Sequence, residues 1–169
     1  MDAETIRANQ APLKRQYREA PESAWRTLRA EGVLAENPTV CEVASHLGTI
    51  PAGLHVNTGG DGSHACAGNM LLESLVACAG VTLGVVSTAM GLPLTDVRVT
   101  AEGDVDFRGT MGVDRSVPVG FQAIRLKLAF TSGATEEQVA KLLELTERYC
   151  IIHQTLSKAV PCTIERVAG

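Results

Sequence analysis

A chain of 169 residues, 45% hydrophobic and 20% charged, is long enough to bury one core and gives no reason to expect a second domain. Its net charge of −4 argues against a nucleic-acid or anionic-membrane binder, because both partners call for a basic surface. Aromatic residues make up only 4%, so the core is aliphatic, with alanine and glycine allowing close backbone approach.

The N-terminus is acidic and polar and lacks the basic-then-apolar pattern of a signal peptide. No run reaches the ~18 apolar residues that a membrane span requires. The expectation is a cytoplasmic protein with neither membrane nor nucleic acid as partner. Residues 3–31 read as two helical pieces, with Pro12 and Pro21 suited to first turns and Gly32 to the stop. Asn37 and Pro38 mark a turn, and residues 39–47 read as a strand. Gly48, Gly53 and the run Gly59, Gly60, Asp61, Gly62 punctuate a hairpin and a loop, with a short strand near residues 54–56.

Residues 68–90 form a long helix, apolar nearly all the way round, which predicts burial on most sides; Gly91 and Pro93 end it. Val97, Val99, Ala101, Val105 and Phe107 then alternate with polar residues, as do Ile124, Leu126, Leu128 and Phe130 with Arg125 and Lys127. These are two strands of a hairpin, joined by a loop over residues 109–120. Thr135 is placed to cap a second long helix. That helix carries a stripe of Leu142, Leu145, Tyr149, Ile152 and Leu156 and is expected to run unbroken to Ala159. Pro161 stops it, and residues 162–167 read as a last short strand. The fold class is α+β, with two long central helices packed on an antiparallel sheet.

The chemistry lies in the cysteines. Cys41, Cys66, Cys78, Cys150 and Cys162 contain no CxxC pair, and in a reducing compartment they are free thiols, metal ligands or a redox pair. Cys78 has no Lys, Arg or His within one turn, so any activation comes from elsewhere in the fold. Cys150 has Arg148 two residues away and His153 at i+3 on the same helical face, where an imidazole can favour thiolate or accept a proton. His55, His64 and Cys66 do not make a metal-ligand spacing, and the glycine run at 59–62 lacks the Lys-Ser/Thr of a phosphate loop. Neither metal nor cofactor is expected.

The glycine run, the stretch NMLLESLVACAGVTL over residues 69–83 and the stretch ERYCIIHQTL over residues 147–156 together resemble the OsmC/Ohr family of bacterial thiol peroxidases. The resemblance covers roughly residues 39–167; residues 1–38 then stand as an N-terminal helical extension ahead of an OsmC-like domain at 39–169. It implies an intertwined homodimer in which Cys78 is the peroxidatic cysteine that attacks the O–O bond of an organic hydroperoxide. It also implies that Cys150 resolves the sulfenic acid as a disulfide, which a dithiol reductant reopens, in a role tied to oxidative stress. A nearby thiol protects a sulfenate from over-oxidation, and an apolar helix bundle suits a fatty or aromatic hydroperoxide.

Two positions depart from the family pattern. Gly68 and Asn69 stand where the family usually has a glutamate paired with an arginine. The nearest acid, Glu73, lies about 140° around the helix from Cys78; it is a site candidate only toward a neighbouring or partner-chain site, and Arg26 and Arg29 are the candidate arginines. Ile151 stands where the family often has proline, so Cys150 is expected mid-helix. Cys66, just ahead of the first cysteine helix, is a possible second thiol near the site. The alternative to a peroxidase is an OsmC-like dimer that binds a small apolar ligand or senses redox state; the absent glutamate is what favours it.

Overall fold

The computed structural model describes residues 1–158 and 160–167. Helix α1 (Ala3–Glu19) opens the chain, capped by the Asp2 carboxylate, which accepts the Thr5 N–H at 2.8 Å. Pro12 lies inside this helix rather than at a first turn. A single 3-10 turn at Pro21–Ala24 follows, led by Pro21 as expected. Residues 25–31 have no regular structure, and Gly32 begins a strand instead of stopping a helix.

Strands β1 (Gly32–Leu34), β2 (Cys41–Ser45), β3 (Gly48–Gly53) and β4 (Ala65–Cys66) form one sheet in that order, antiparallel except for the β3–β4 pair. The strand expected near 54–56 is therefore earlier, at β3, and residues Val56–Thr58 form a 3-10 turn. The hairpin turn at Ser45–Gly48 explains the shift, because Gly48 takes φ +120 and the Ser45 hydroxyl donates to its carbonyl at 2.8 Å.

Helix α2 (Ala67–Met90) ends where Gly91 adopts φ 68 and its N–H reaches back to the last turn. Strands β5 (Thr95–Val105) and β6 (Phe121–Thr131) make a second, two-stranded sheet, antiparallel throughout. A short helix α3 (Phe107–Thr110) takes up the start of the connecting loop, so Phe107 leaves the strand pattern and its ring stacks on His55 at 4.9 Å. Arg125 and Lys127 face outward from β6 and pair with Asp104 and Glu102 of β5, the Lys127–Glu102 contact being 2.6 Å. Phe121 packs into the space that Gly103 leaves: a Cβ there would stand 2.4 Å from the ring.

Helices α4 (Glu136–Tyr149) and α5 (Ile151–Ser157) complete the fold. Thr135 caps α4 as expected, with a reciprocal bond in which its own N–H donates to the Gln138 side chain at 2.9 Å. The α2 ridge of Leu75, Ala79, Leu83 and Ser87 is the buried seam. Its lower half packs with Cys150, Val99, Ala101, Ile124, Leu126 and Ile152, its upper half with Leu142, Leu92, Leu128 and Phe130. The inward faces of β5 and β6 are the ones the alternation predicted at Val99, Ala101, Ile124, Leu126, Leu128 and Phe130, whereas Val97, beside a register irregularity at Thr95–Arg98, is exposed.

The α+β architecture is as expected; three further details differ. The second long helix is broken at Cys150. Residues 160–167 form no strand: Ile164 is fully exposed, because an alternating pattern supplies one side of a ladder and no described strand of the chain supplies the other. Helix α2 is not buried on most sides. Although long and apolar enough to cross a membrane by length and composition, it leaves a face through Ser74, Ala77, Val81 and Gly84 open, and Val81 is 69% exposed.

Candidate functional site

The site begins with the break between α4 and α5. Cys150 has extended backbone angles and belongs to both ends: its N–H still donates to the Thr146 carbonyl at 3.0 Å, while its carbonyl accepts the Gln154 N–H at 2.9 Å. Its sulfur accepts the His153 N–H at 3.5 Å, so the thiol acts as the N-cap of α5. The Gln154 side-chain amide donates across the break to the Glu147 carbonyl at 2.9 Å, satisfying one of the orphaned carbonyls at the end of α4. Two successive isoleucines add a stretch of low helix propensity. A proline is unnecessary; the cysteine and the glutamine supply the caps.

The break points the start of α5 at α2. Cys78, partly buried, packs against the cluster that contains Cys150. Burial pushes the Cys78 thiol up, but the Ile152 N–H, the Cys150 thiol and the Ile151 N–H outweigh it, and the net effect holds Cys78 below the ordinary thiol range. Cys150, only 1% exposed, moves the other way: burial raises it, the His153 N–H opposes, and the neighbouring Cys78 adds to the rise. Both cysteines are free thiols. The arrangement is a thiolate-favouring cysteine in contact with a second thiol held neutral.

The other sequence candidates fall elsewhere. Glu73 is exposed and, among the described residues, makes no ion pair; α2 carries it away from the cysteine seam. Arg148 is exposed and lies over the Tyr149 ring at 5.6 Å. Arg26 and Arg29 lie in the irregular segment 25–31, where Arg26 donates to the Trp25 carbonyl at 2.8 Å. Cys66 is the N-cap residue of α2, and with Asn69, His55, Phe107 and Phe121 it lines a cavity of about 500 Å³. Asn69 and Cys78 are separated by about 13 Å of helix rise, so one chain does not bring them together. His64 is occupied locally, its Nδ1 lying 2.7 Å from the Ser63 hydroxyl.

His153 is the exception. Its ring lines two adjoining cavities of about 300 and 290 Å³ along β6, one floored by Leu75 and Ile124, the other by Leu128 and Cys150. Leu126 is shared by both. These cavities, formed between β6 and the α4–α5 break, were not legible in the sequence because they depend on the break.

The sequence model for the OsmC-like protein family matches residues 60–165, from the glycine run past both cysteines. The chain belongs to the OsmC family. Solved OsmC family structures carry the same fold at low sequence identity. An OsmC-like protein from Mycoplasma pneumoniae is 18% identical with a TM-score of 0.64, over 78% of this chain and 88% of its own. An organic hydroperoxide resistance protein OsmC from Legionella pneumophila is 17% identical with a TM-score of 0.54, over 79% and 90%. The organic hydroperoxide resistance protein OhrB of Bacillus subtilis is 13% identical with a TM-score of 0.52, over 76% and 89%. No protein of curated function matches the chain in sequence. The family match begins at residue 60, so it leaves α1 and the first three strands of this OsmC family chain outside it.

Proposed function

We propose that this OsmC family protein is a thiol-dependent peroxidase for organic hydroperoxides, with Cys78 as the peroxidatic and Cys150 as the resolving cysteine. The observation that carries the reading is the contact between the two thiols, one held toward thiolate and the other held neutral. The Cys78 thiolate attacks the terminal oxygen of the hydroperoxide, the O–O bond breaks, and the alcohol leaves after taking a proton. Cys78 is then a sulfenic acid. Attack by Cys150 forms the S–S bond and expels the oxygen as water, and a dithiol returns both cysteines to thiols while becoming a disulfide itself. The relatives described as organic hydroperoxide resistance proteins support the substrate class.

The protein acts as a homodimer in this reading. The open face of α2, with small residues at Ser74, Ala77 and Gly84 around exposed Val81, suits close packing against a second copy of the same helix. The dimer is the arrangement in which a group from another chain can approach Cys78. Five free thiols suit a reducing, cytoplasmic setting.

A second reading, an OsmC-like dimer that binds a small apolar ligand or senses redox state, is favoured by one observation. Gly68 and Asn69 stand where the family usually has a glutamate, and Glu73 is exposed rather than turned to the thiols. Alkylation against pH separates the two: a peroxidase needs substantial Cys78 thiolate near neutrality, and a packed core thiol does not. Loss of hydroperoxide consumption in Cys78→Ser supports the first reading; unchanged consumption contradicts it.

A further inference from the structure

We infer that His153 is the proton acceptor for the Cys150 thiol when that thiol attacks oxidised Cys78, an assignment that rests on the peroxidase reading above. Among the described residues only two buried side-chain polar atoms lack a hydrogen-bond partner, Ser23 Oγ and His153 Nδ1. An unpartnered buried ring nitrogen costs stability, and nothing in the packing of α5 requires a polar atom there. The ring borders the cavity whose wall includes Cys150, and its backbone N–H already touches the Cys150 sulfur at 3.5 Å. Nδ1 is buried and Cys150 is 1% exposed, so the transfer is direct, from thiol to ring as Cys150 moves onto Cys78, with no solvent between them.

The chemistry of resolution explains why an acceptor is needed at this place. Cys150 reaches Cys78 as a buried neutral thiol, and its attack on the sulfenic sulfur releases a proton while the S–O bond breaks. Nδ1 takes that proton and returns it to the departing hydroxide, which leaves as water; the S–S bond forms, Cys150 is oxidised and the Cys78 sulfur is reduced. The elements packed on His153 offer few competing groups. From α2 comes Leu75, from α4 come Leu143, Thr146 and Glu147, and β6 contributes Leu126, Leu128, Ile124 and Gln122, its Arg125 and Lys127 pairing with Glu102 and Asp104 instead.

The test uses the full chain mixed with one equivalent of tert-butyl hydroperoxide, with sulfenate and disulfide formation timed separately by rapid quench and mass spectrometry between about pH 6 and 9.5. Sulfenate formation in His153→Gln and His153→Asn is timed as the internal reference, and far-ultraviolet circular dichroism reports that each variant is folded. Both variants are expected to slow the disulfide step by about 100-fold at neutral pH. The gap closes at alkaline pH, where Cys150 ionises without help. In the unsubstituted protein, the pH midpoint of the disulfide step should coincide with the His153 ring-proton titration followed by NMR, a readout that needs no variant. Equal slowing at every pH, or an unchanged pH profile, overturns the assignment. If the unsubstituted protein forms sulfenate but no Cys78–Cys150 disulfide, the peroxidase reading itself falls, and this assignment with it.

Discussion

Cys78 and Cys150 meet where α2 touches the α4–α5 break, and the contact moves their acidities in opposite directions. The cause is local. The N–H groups of Ile151 and Ile152 at the break favour the Cys78 thiolate, whereas Cys150 is buried to 1% exposure and neighbours the more acidic thiol.

Alkylation with iodoacetamide should follow that order. A depressed thiol reacts as its thiolate, so Cys78 modification is expected to rise with pH below the ordinary thiol midpoint of about 8.5, and Cys150 modification only above it. Peptide mapping at stepped pH checks this. The same sign governs stability. The depressed Cys78 contributes stability that is present above its unfolded value and lost as pH falls through its folded one. The raised Cys150 contributes stability that is lost as pH rises past the unfolded thiol range.

Turnover should divide the two cysteines by role. Cys78→Ser is expected to abolish hydroperoxide consumption. Cys150→Ser is expected to permit one turnover, after which Cys78 progresses to sulfinic acid, a gain of two oxygens read by intact-mass spectrometry.

Val81→Glu tests the open face of α2. A charge placed at the centre of an apolar helix contact should shift the protein toward monomer, with dimer affinity weakened by about 100-fold or more in analytical ultracentrifugation. The far-ultraviolet circular dichroism should hold, because Val81 is 69% exposed in the single chain.

Gly103→Ala tests the close approach of β5 to Phe121. The added methyl would stand 2.4 Å from the ring, and overpacking of this kind costs about 1–3 kcal/mol. Urea denaturation should show that loss, and Phe121→Leu in the same chain should recover part of it. Thr135→Ala removes half of the reciprocal cap of α4 and should cost about 1 kcal/mol in the same assay.

Much of this arrangement was legible in the residues. The alternation in β6 placed Ile124, Leu126, Leu128 and Phe130 on the core side, Thr135 announced a helix start, and Gly91 a helix end, all from local rules. What was not legible depended on distant partners. The break at Cys150 arises from a sulfur cap and the Gln154 side chain rather than from a proline, so the helix read as continuous. The open face of α2 reads as a core face, because composition alone does not separate an apolar face that the chain covers from one it leaves open. Residues 162–167 carry a strand pattern without a strand to pair with in the described chain. Pro12 and Gly32 depart from the local rules because proline is tolerated within α1, and because Gly32 approaches Cys41 so closely that a Cβ would lie 2.8 Å from its sulfur.

The most direct test of the account is the thiol pair itself. The full chain is treated with one equivalent of an organic hydroperoxide, blocked with iodoacetamide, and digested without reduction. The account predicts a Cys78–Cys150 disulfide formed in step with hydroperoxide loss, with Cys41, Cys66 and Cys162 alkylated. Hydroperoxide left unconsumed, or Cys78 recovered as a free thiol, would contradict it.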